Sequence, residues 1–182
     1  MARVLVPLAD GCEELEAVAI IDTLRRAEWD VVVAGLKEGT VTASRGVKLV
    51  PDTTLDEVDL DSFDLVVLPG GNNGVVNLMA DERILGALRR FRAAGKTIAA
   101  VCAAPLVLQK AGVIDGMKMT CYPSVAPQIT KATRLGDKVV IDGKLITSQG
   151  PGTSIAFALA IIEHVDGREK SARVAEGMVA IP

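Results

Sequence analysis

The chain lacks several features that mark particular classes of protein. Among its 182 residues there is no run of about 18 apolar residues, so a membrane-spanning helix is not expected. Its 20 Lys and Arg nearly balance its 23 Asp and Glu, with no long block of one sign. A basic patch, the usual footprint of a nucleic-acid-binding protein, is therefore not predicted. The apolar run near the N-terminus is too short for a signal peptide, and we expect a cytoplasmic protein.

Cysteine and histidine are also scarce. The three cysteines, Cys12, Cys102 and Cys121, are odd in number and show neither a CxxC motif nor metal-ligand spacing. A disulfide scaffold or a zinc site is therefore not predicted, and the phosphate-binding glycine motifs are absent as well. The only histidine, His164, lies near the end of a predicted helix, far in sequence from Cys102. We expect no Cys/His dyad and no metal or other cofactor.

Strand-length apolar runs alternate with segments of helical periodicity along the chain. This alternation predicts a mostly parallel α/β sheet with helices on both faces, and the length and the 49% of apolar residues fit one domain over residues 1–182. The predicted strands are residues 3–8, 30–36, 64–68 and 97–101, with a hairpin of 138–141 and 145–147 and a smaller hairpin-like excursion over 40–54. The predicted helices are residues 13–27, 81–93, 103–111, 154–165 and 168–175.

Cys102 is the most informative single residue, because it joins a buried strand directly to a predicted helix. A side chain on such a sharp turn is presented at the carboxyl edge of the sheet, where ligands bind in open α/β folds. The start of the following helix favours a thiolate, so we expect a lowered pKa for Cys102. The other interpretation is that Cys102 is a small apolar core residue, as most free cysteines are.

Two further segments follow predicted strands. Gly70 and Gly71 form a glycine-rich turn that either presents backbone N–H groups to an oxyanion or simply makes a tight turn. Glu13 and Glu14 occupy a first helical turn, where acidic residues ordinarily complement the helix dipole. Glu16 lies one turn further and could lean toward Cys102, so that a carboxyl kept protonated by burial hydrogen-bonds the sulfur.

Together, four segments resemble the ThiJ/PfpI superfamily, specifically the branch of the Parkinsonism-associated deglycase and bacterial YajL-like proteins. They are residues 11–16, 67–71, 100–105 and 145–153, in this order and spacing. The resemblance implies a flavodoxin-like three-layer sandwich with a nucleophile elbow at Cys102. It also implies a homodimer, and a hydrogen bond between Cys102 and a protonated Glu16.

The resemblance also implies further site residues. Backbone donors are expected from Gly71 and Ala103, beside Gly70, and Arg45 matches an arginine that the family brings to the site from the partner subunit. Tyr122 stands where this branch often carries a histidine, which leaves proton transfer to Glu16. Ala103 stands where protease-like members place a histidine after the nucleophile, so peptidase activity is disfavoured.

Two functions follow from this resemblance. The first is a cofactor-independent glyoxalase or deglycase, in which Cys102 attacks methylglyoxal, glyoxal or their adducts with thiols and amines. The second is an oxidative-stress sensor or redox chaperone, in which Cys102 oxidises to a sulfinate. In that second case Cys12 and Cys121 are candidate resolving thiols. No role in thiazole biosynthesis is indicated, because no phosphate-binding motif supports one.

Overall fold

A seven-stranded sheet forms the centre of the protein in the computed structural model, which describes residues 1–180. The strand order is β10-β11-β7-β6-β1-β2-β5, and only β10 runs antiparallel to its neighbour. Two small pairs, β3 with β4 and β8 with β9, lie outside it. The strands are β1 Arg3–Leu8, β2 Asp30–Gly35, β3 Val41–Thr42, β4 Lys48–Leu49, β5 Thr53–Thr54, β6 Leu65–Leu68, β7 Thr97–Val101, β8 Lys118–Met119, β9 Thr133–Arg134, β10 Val139–Asp142 and β11 Leu145–Ser148.

Helices flank this sheet in two packed groups. Helices α1 and α6 pack against α5, whereas α2 and α3 pack against α4. They are α1 Glu14–Arg26, α2 Asn72–Ala80, α3 Glu82–Ala93, α4 Pro105–Ala111, α5 Ser154–Asp166 and α6 Arg168–Gly177. The predicted sandwich with a mostly parallel sheet is confirmed. Within the described residues, no helix has the length and apolar character needed to cross a bilayer.

The three central strands set the position of the candidate site. Strands β6 and β7 are buried at every residue, which explains their uninterrupted apolar sequences. Strand β6 pairs with β1 on one side and β7 on the other, all three in parallel. The loops that follow these strands therefore meet at one edge of the sheet, and they carry Glu13, Gly70, Gly71 and Cys102.

Most predicted elements are present, with four main differences. Helix α2 was not predicted, because it starts in the sequence Gly71-Asn72-Asn73-Gly74, which is poor in helix-forming residues. Helix α4 begins at Pro105 rather than at residue 103. The β8–β9 pair and the 3-10 turn Pro123–Gln128 were not predicted either, since each is too short for a hydrophobic period.

Helix α2 depends on a close approach at Gly74, which predicts an unusual effect of alanine. A Cβ at Gly74 would lie 2.7 Å from both the N and the Cα of Cys12, whereas at Gly86 in α3 it would meet only the Arg90 side chain at 3.4 Å. We expect Gly86→Ala to raise the free energy of unfolding by about 0.5–1 kcal/mol, as in an ordinary helix. Gly74→Ala should instead lower it by about 1–3 kcal/mol, through overpacking.

Urea unfolding of the two variants beside the wild type measures this difference. Equal stabilisation by both alanines would contradict the described packing of α2 on the loop after β1.

Candidate active site

Cys102 lies on the turn between β7 and α4 in a conformation that few residues adopt. Its φ is 62°, in the left-handed region that is uncommon for residues other than glycine. The turn is held on both sides, because the Cys102 N–H donates to the Ser148 carbonyl at 3.0 Å and the Cys102 carbonyl accepts the Tyr122 N–H at 2.9 Å. The residue is 9% exposed. The predicted elbow is confirmed, with its strained backbone fixed by neighbouring segments.

The Glu16 side chain is fully buried next to this elbow. Its Oε2 accepts the Gly70 N–H at 2.7 Å. A Cβ at Gly70 would lie 2.7 Å from Glu16 Oε2 and 2.7 Å from Cys102 Cβ, so Gly70 leaves the gap in which these side chains approach each other. Gly70 was expected among the oxyanion and binding residues. Its N–H is instead committed to the carboxyl, so Gly70 positions Glu16.

The loops after β1 and β6 are locked together around the start of α1. The Glu13 N–H donates to the Gly70 carbonyl at 3.0 Å, and the Glu13 side chain accepts the Glu16 N–H at 2.7 Å as the helix cap. Gly71 has a φ of 92° and packs against the backbone of Gly11 and Glu13 with no room for a side chain. The helix-terminal role predicted for Glu13 is confirmed, and this cap orients the turn that carries Glu16.

Burial dominates the electrostatics of the Cys102–Glu16 pair. It raises the pKa of Glu16 to about 7, against the opposing effects of hydrogen bonds from Gly70 and Cys102. Burial, followed by the charge and hydrogen bonding of Glu16, raises the pKa of Cys102 to about 12, although the N–H groups of Gly71 and Ala103 act in the opposite direction. Just above pH 7 the pair therefore holds one negative charge.

The lowered pKa that the sequence predicted for Cys102 is therefore wrong. The expected source was the start of the following helix, but α4 begins three positions beyond Cys102 and has only seven residues. The expectation that burial raises the pKa of Glu16 is confirmed in direction.

A cavity of about 370 Å³ opens beside Cys102 and contains most of the remaining candidates. Gly71, Tyr122 and Arg45 line it. Arg45 of the same chain lies in this wall. The arginine that the resemblance expects from a partner subunit stays a prediction. Glu14 holds the segment that carries Arg45 in place. The Glu14 carboxylate accepts hydrogen bonds from the Ser44 hydroxyl at 2.8 Å and from the Arg45 N–H at 2.7 Å.

Several residues of this wall were not singled out from the sequence. They belong to four segments and are Ser44, Asn72, Asn73, Ser124 and Pro151. Ser44 and Ser124 adjoin the predicted Arg45 and Tyr122, and Pro151 belongs to the segment 145–153 that carried part of the resemblance. Asn72 and Asn73 follow Gly70 and Gly71 in the same predicted glycine-rich turn, but no role was predicted for their side chains.

The other two cysteines and the histidine are not among the residues that line this cavity. Cys12 and Cys121 are buried free thiols that do not line it, and burial raises the pKa of each. His164 lines a separate cavity together with Thr97, the first residue of β7. Cys102 follows the last residue of β7, so the two cavities lie at opposite ends of this strand. Burial and Lys144 lower the pKa of His164. Within residues 1–180, no cluster of His, Cys, Asp and Glu has the arrangement of a metal site.

Comparisons with known proteins agree with this geometry. The DJ-1/PfpI family profile matches residues 2–164. Protein dj-1beta of Drosophila melanogaster is 49% identical over 179 residues, covering 96% of this chain and 95% of that protein. Glutathione-independent glyoxalase DJR-1.2 of Caenorhabditis elegans is 35% identical, covering 93% and 91%. DJ-1 homolog B of Arabidopsis thaliana is 46% identical over 96% of this chain, which spans only 40% of that longer relative.

Solved structures share the fold over almost the whole chain. The crystal structure of Drosophila melanogaster DJ-1beta superposes with a TM-score of 0.94 at 47% identity, covering 98% of both chains. Oxidized DJ-1 of Toxoplasma gondii gives a TM-score of 0.95 at 38% identity, also covering 98% of both. The resemblance read from the four sequence segments is thereby confirmed, and the chain belongs to the DJ-1/PfpI family.

Proposed function

We propose that the protein is a cofactor-independent glyoxalase or deglycase that acts on methylglyoxal, glyoxal and their adducts. The observation that carries this proposal is the fully buried Glu16 carboxyl, held by the Gly70 N–H at 2.7 Å, beside Cys102 on its elbow. Burial raises the pKa of this carboxyl to about 7, which suits a general base. The name of the Caenorhabditis elegans relative, a glutathione-independent glyoxalase, supports the same class of reaction.

Glu16 supplies the activation that the thiol lacks. The raised pKa of Cys102 leaves little thiolate at neutral pH, so the sulfur needs a base at the moment of attack. The ionised Glu16 takes the thiol proton as Sγ adds to the aldehyde carbon. The N–H groups of Gly71 and Ala103, which already interact with the sulfur, are placed to stabilise the developing oxyanion.

The remaining steps need no external oxidant. Glu16 first passes the thiol proton to the alkoxide oxygen of the adduct and is ionised again. It then takes the proton from the former aldehyde carbon and delivers it to the neighbouring carbonyl carbon, while the hydroxyl proton moves to the neighbouring oxygen, which gives a thioester of Cys102. Water hydrolyses this thioester and releases lactate from methylglyoxal or glycolate from glyoxal. One substrate carbon is oxidised while its neighbour is reduced, so the electrons balance within the substrate.

Cys102→Ala and Glu16→Gln should each abolish lactate production from methylglyoxal. Removing the base alone should cost about 10²–10⁴-fold in rate. Wild-type kcat/KM should rise with pH and level off above about 7, because the reaction requires the ionised pair. Lactate is measured after trace glyoxalases are removed, with Cys121→Ala as the matched control for a thiol outside the cavity.

Wild-type turnover by Cys102→Ala would contradict the assignment of the nucleophile. A rate independent of pH between 5 and 9 would contradict the role of Glu16.

A second candidate function is a redox sensor or chaperone. The oxidized Toxoplasma gondii DJ-1 structure supports it, and so does the exposure of Cys102 to a cavity with backbone N–H donors at Gly71 and Ala103. Those donors suit the oxygens of a sulfinate as well as an oxyanion. The raised pKa of Cys102 argues against it, because oxidation proceeds through the thiolate.

Mild peroxide at pH 7 distinguishes the two functions on one preparation. We expect Cys102 to stay largely reduced under conditions in which dicarbonyl turnover is measurable, because little thiolate is present. Intact mass and peptide mapping should show three free thiols, with no disulfide to Cys12 or Cys121. Rapid, selective addition of two oxygens to Cys102 without turnover would instead establish the sensor.

We also propose that the protein forms a homodimer. Leu15 and Val18 on α1 are 57% and 48% exposed, and Val47 and Val50 near β4 are 47% and 79% exposed. The hydrogen bond between Glu14 and Ser44 holds these two segments together, so a second copy of the chain would cover both. The single domain over residues 1–182 and the cytoplasmic location remain predictions.

A charge in this apolar surface should separate the subunits. Val18→Glu is expected to give a monomer in light scattering coupled to size-exclusion chromatography. Val76→Glu is the matched control, because Val76 is 58% exposed on α2, away from this surface. An unchanged mass for Val18→Glu, or equal dissociation by both variants, would contradict this interface.

A further inference from the structure

Tyr122, the only tyrosine in the chain, lines the cavity beside Cys102. It remains 44% exposed, so much of its ring is accessible to a ligand. Its backbone N–H donates to the Cys102 carbonyl at 2.9 Å, which ties the start of the side chain to the elbow. The backbone of Tyr122 is therefore fixed relative to the turn that carries Cys102.

Gly150 fixes the other side of this ring. A Cβ at Gly150 would lie 3.1 Å from Tyr122 Cδ2 and 3.5 Å from Cε2, so the ring packs directly against the glycine. The backbone of Gly150 is itself held, because its carbonyl accepts the Thr153 N–H at 2.9 Å and its N–H donates to Thr153 Oγ1 at 3.1 Å. Tyr122 is thus a pre-organised aromatic wall.

The charges around the cavity favour a cationic ligand. Its lining includes the carboxylate of Glu13 and the sulfur of Cys102, and the buried carboxyl of Glu16 lies next to Cys102. Arg45 supplies one positive charge. The cavity volume of about 370 Å³ also far exceeds that of a three-carbon dicarbonyl. A dicarbonyl bound to a larger, positively charged group fits both the charge and the volume of this cavity.

We propose that Tyr122 selects dicarbonyl adducts carried on a guanidinium group, over adducts on lysine or thiols and over free dicarbonyls, and that Gly150 is its positioning residue. This inference rests on the proposed function. A guanidinium is planar and cationic, so it stacks on an aromatic face in a way that an ammonium or thiol does not. In the reaction, the bond from Cys102 Sγ to the adduct carbon forms as the bond from that carbon to the guanidinium nitrogen breaks. The leaving nitrogen takes up the thiol proton, which Glu16 delivers.

A binding experiment tests the aromatic wall without turnover. The Cys102→Ala protein, labelled with ¹³C-tyrosine, gives the ring signals of Tyr122 alone. Nα-acetylarginine amide should shift these signals saturably, with a Kd about two-fold to five-fold lower than that of Nα-acetyllysine amide. Gly150→Ala should remove this preference by displacing the ring. Gly152→Ala is the matched control, because a Cβ there meets nothing within 4 Å.

Equal binding of the two amides would overturn the inference, as would equal effects of Gly150→Ala and Gly152→Ala. The same is true if neither amide shifts the Tyr122 signals.

Kinetics of the otherwise unmodified enzyme provide the second readout. Tyr122→Leu should raise the ratio of KM for methylglyoxal-modified Nα-acetylarginine to KM for free methylglyoxal by about three-fold, whereas Tyr122→Phe, which keeps the ring, should not. An equal rise of both KM values would overturn the inference. Failure of the wild type to convert any dicarbonyl would overturn the proposed function. In that case, the preference for the arginine amide over the lysine amide would still decide the role of Tyr122.

Discussion

The burial of the Glu16 carboxyl beside Cys102 is the constraint on which the rest of the site depends. The carboxyl reaches this place because Glu13 caps α1 and because Gly70 offers an N–H and no side chain. Gly71 permits the backbone contact that locks the two loops. These contacts produce one arrangement, in which two acidic groups meet at the carboxyl edge of a sheet whose central strands β6 and β7 are buried at every residue.

This arrangement costs stability and supplies reactivity. Burying an ionised carboxylate is expensive, and Oε1 of Glu16 has no partner of good hydrogen-bond geometry among the described residues. The raised pKa means that the contribution of Glu16 to stability is complete below its unfolded value of 4.5 and is lost as pH rises through about 7. The same shift brings the pKa of the Glu16 carboxyl close to neutral pH, where a general base is most effective.

The sequence was sufficient where local pattern determines structure. Alternating apolar and helical segments predicted the sheet, and the join at Cys102 predicted the elbow, because both signals lie in consecutive residues. Helix α2 was missed because tertiary packing at Gly74 overrides its poor local propensity. The pKa of Cys102 was predicted in the wrong direction, since burial depends on neighbours distant in sequence. For the same reason, the sequence did not predict the hydrogen bond from the Gly70 N–H to Glu16.

The most direct test is an NMR titration of the Glu16 side-chain carboxyl carbon in protein labelled with ¹³C-glutamate, with Glu16→Gln providing the assignment. The account predicts a midpoint near pH 7, while the thiolate absorbance of Cys102 stays absent up to pH 9. A carboxyl midpoint near 4.5, or thiolate absorbance that develops below pH 7, would contradict it.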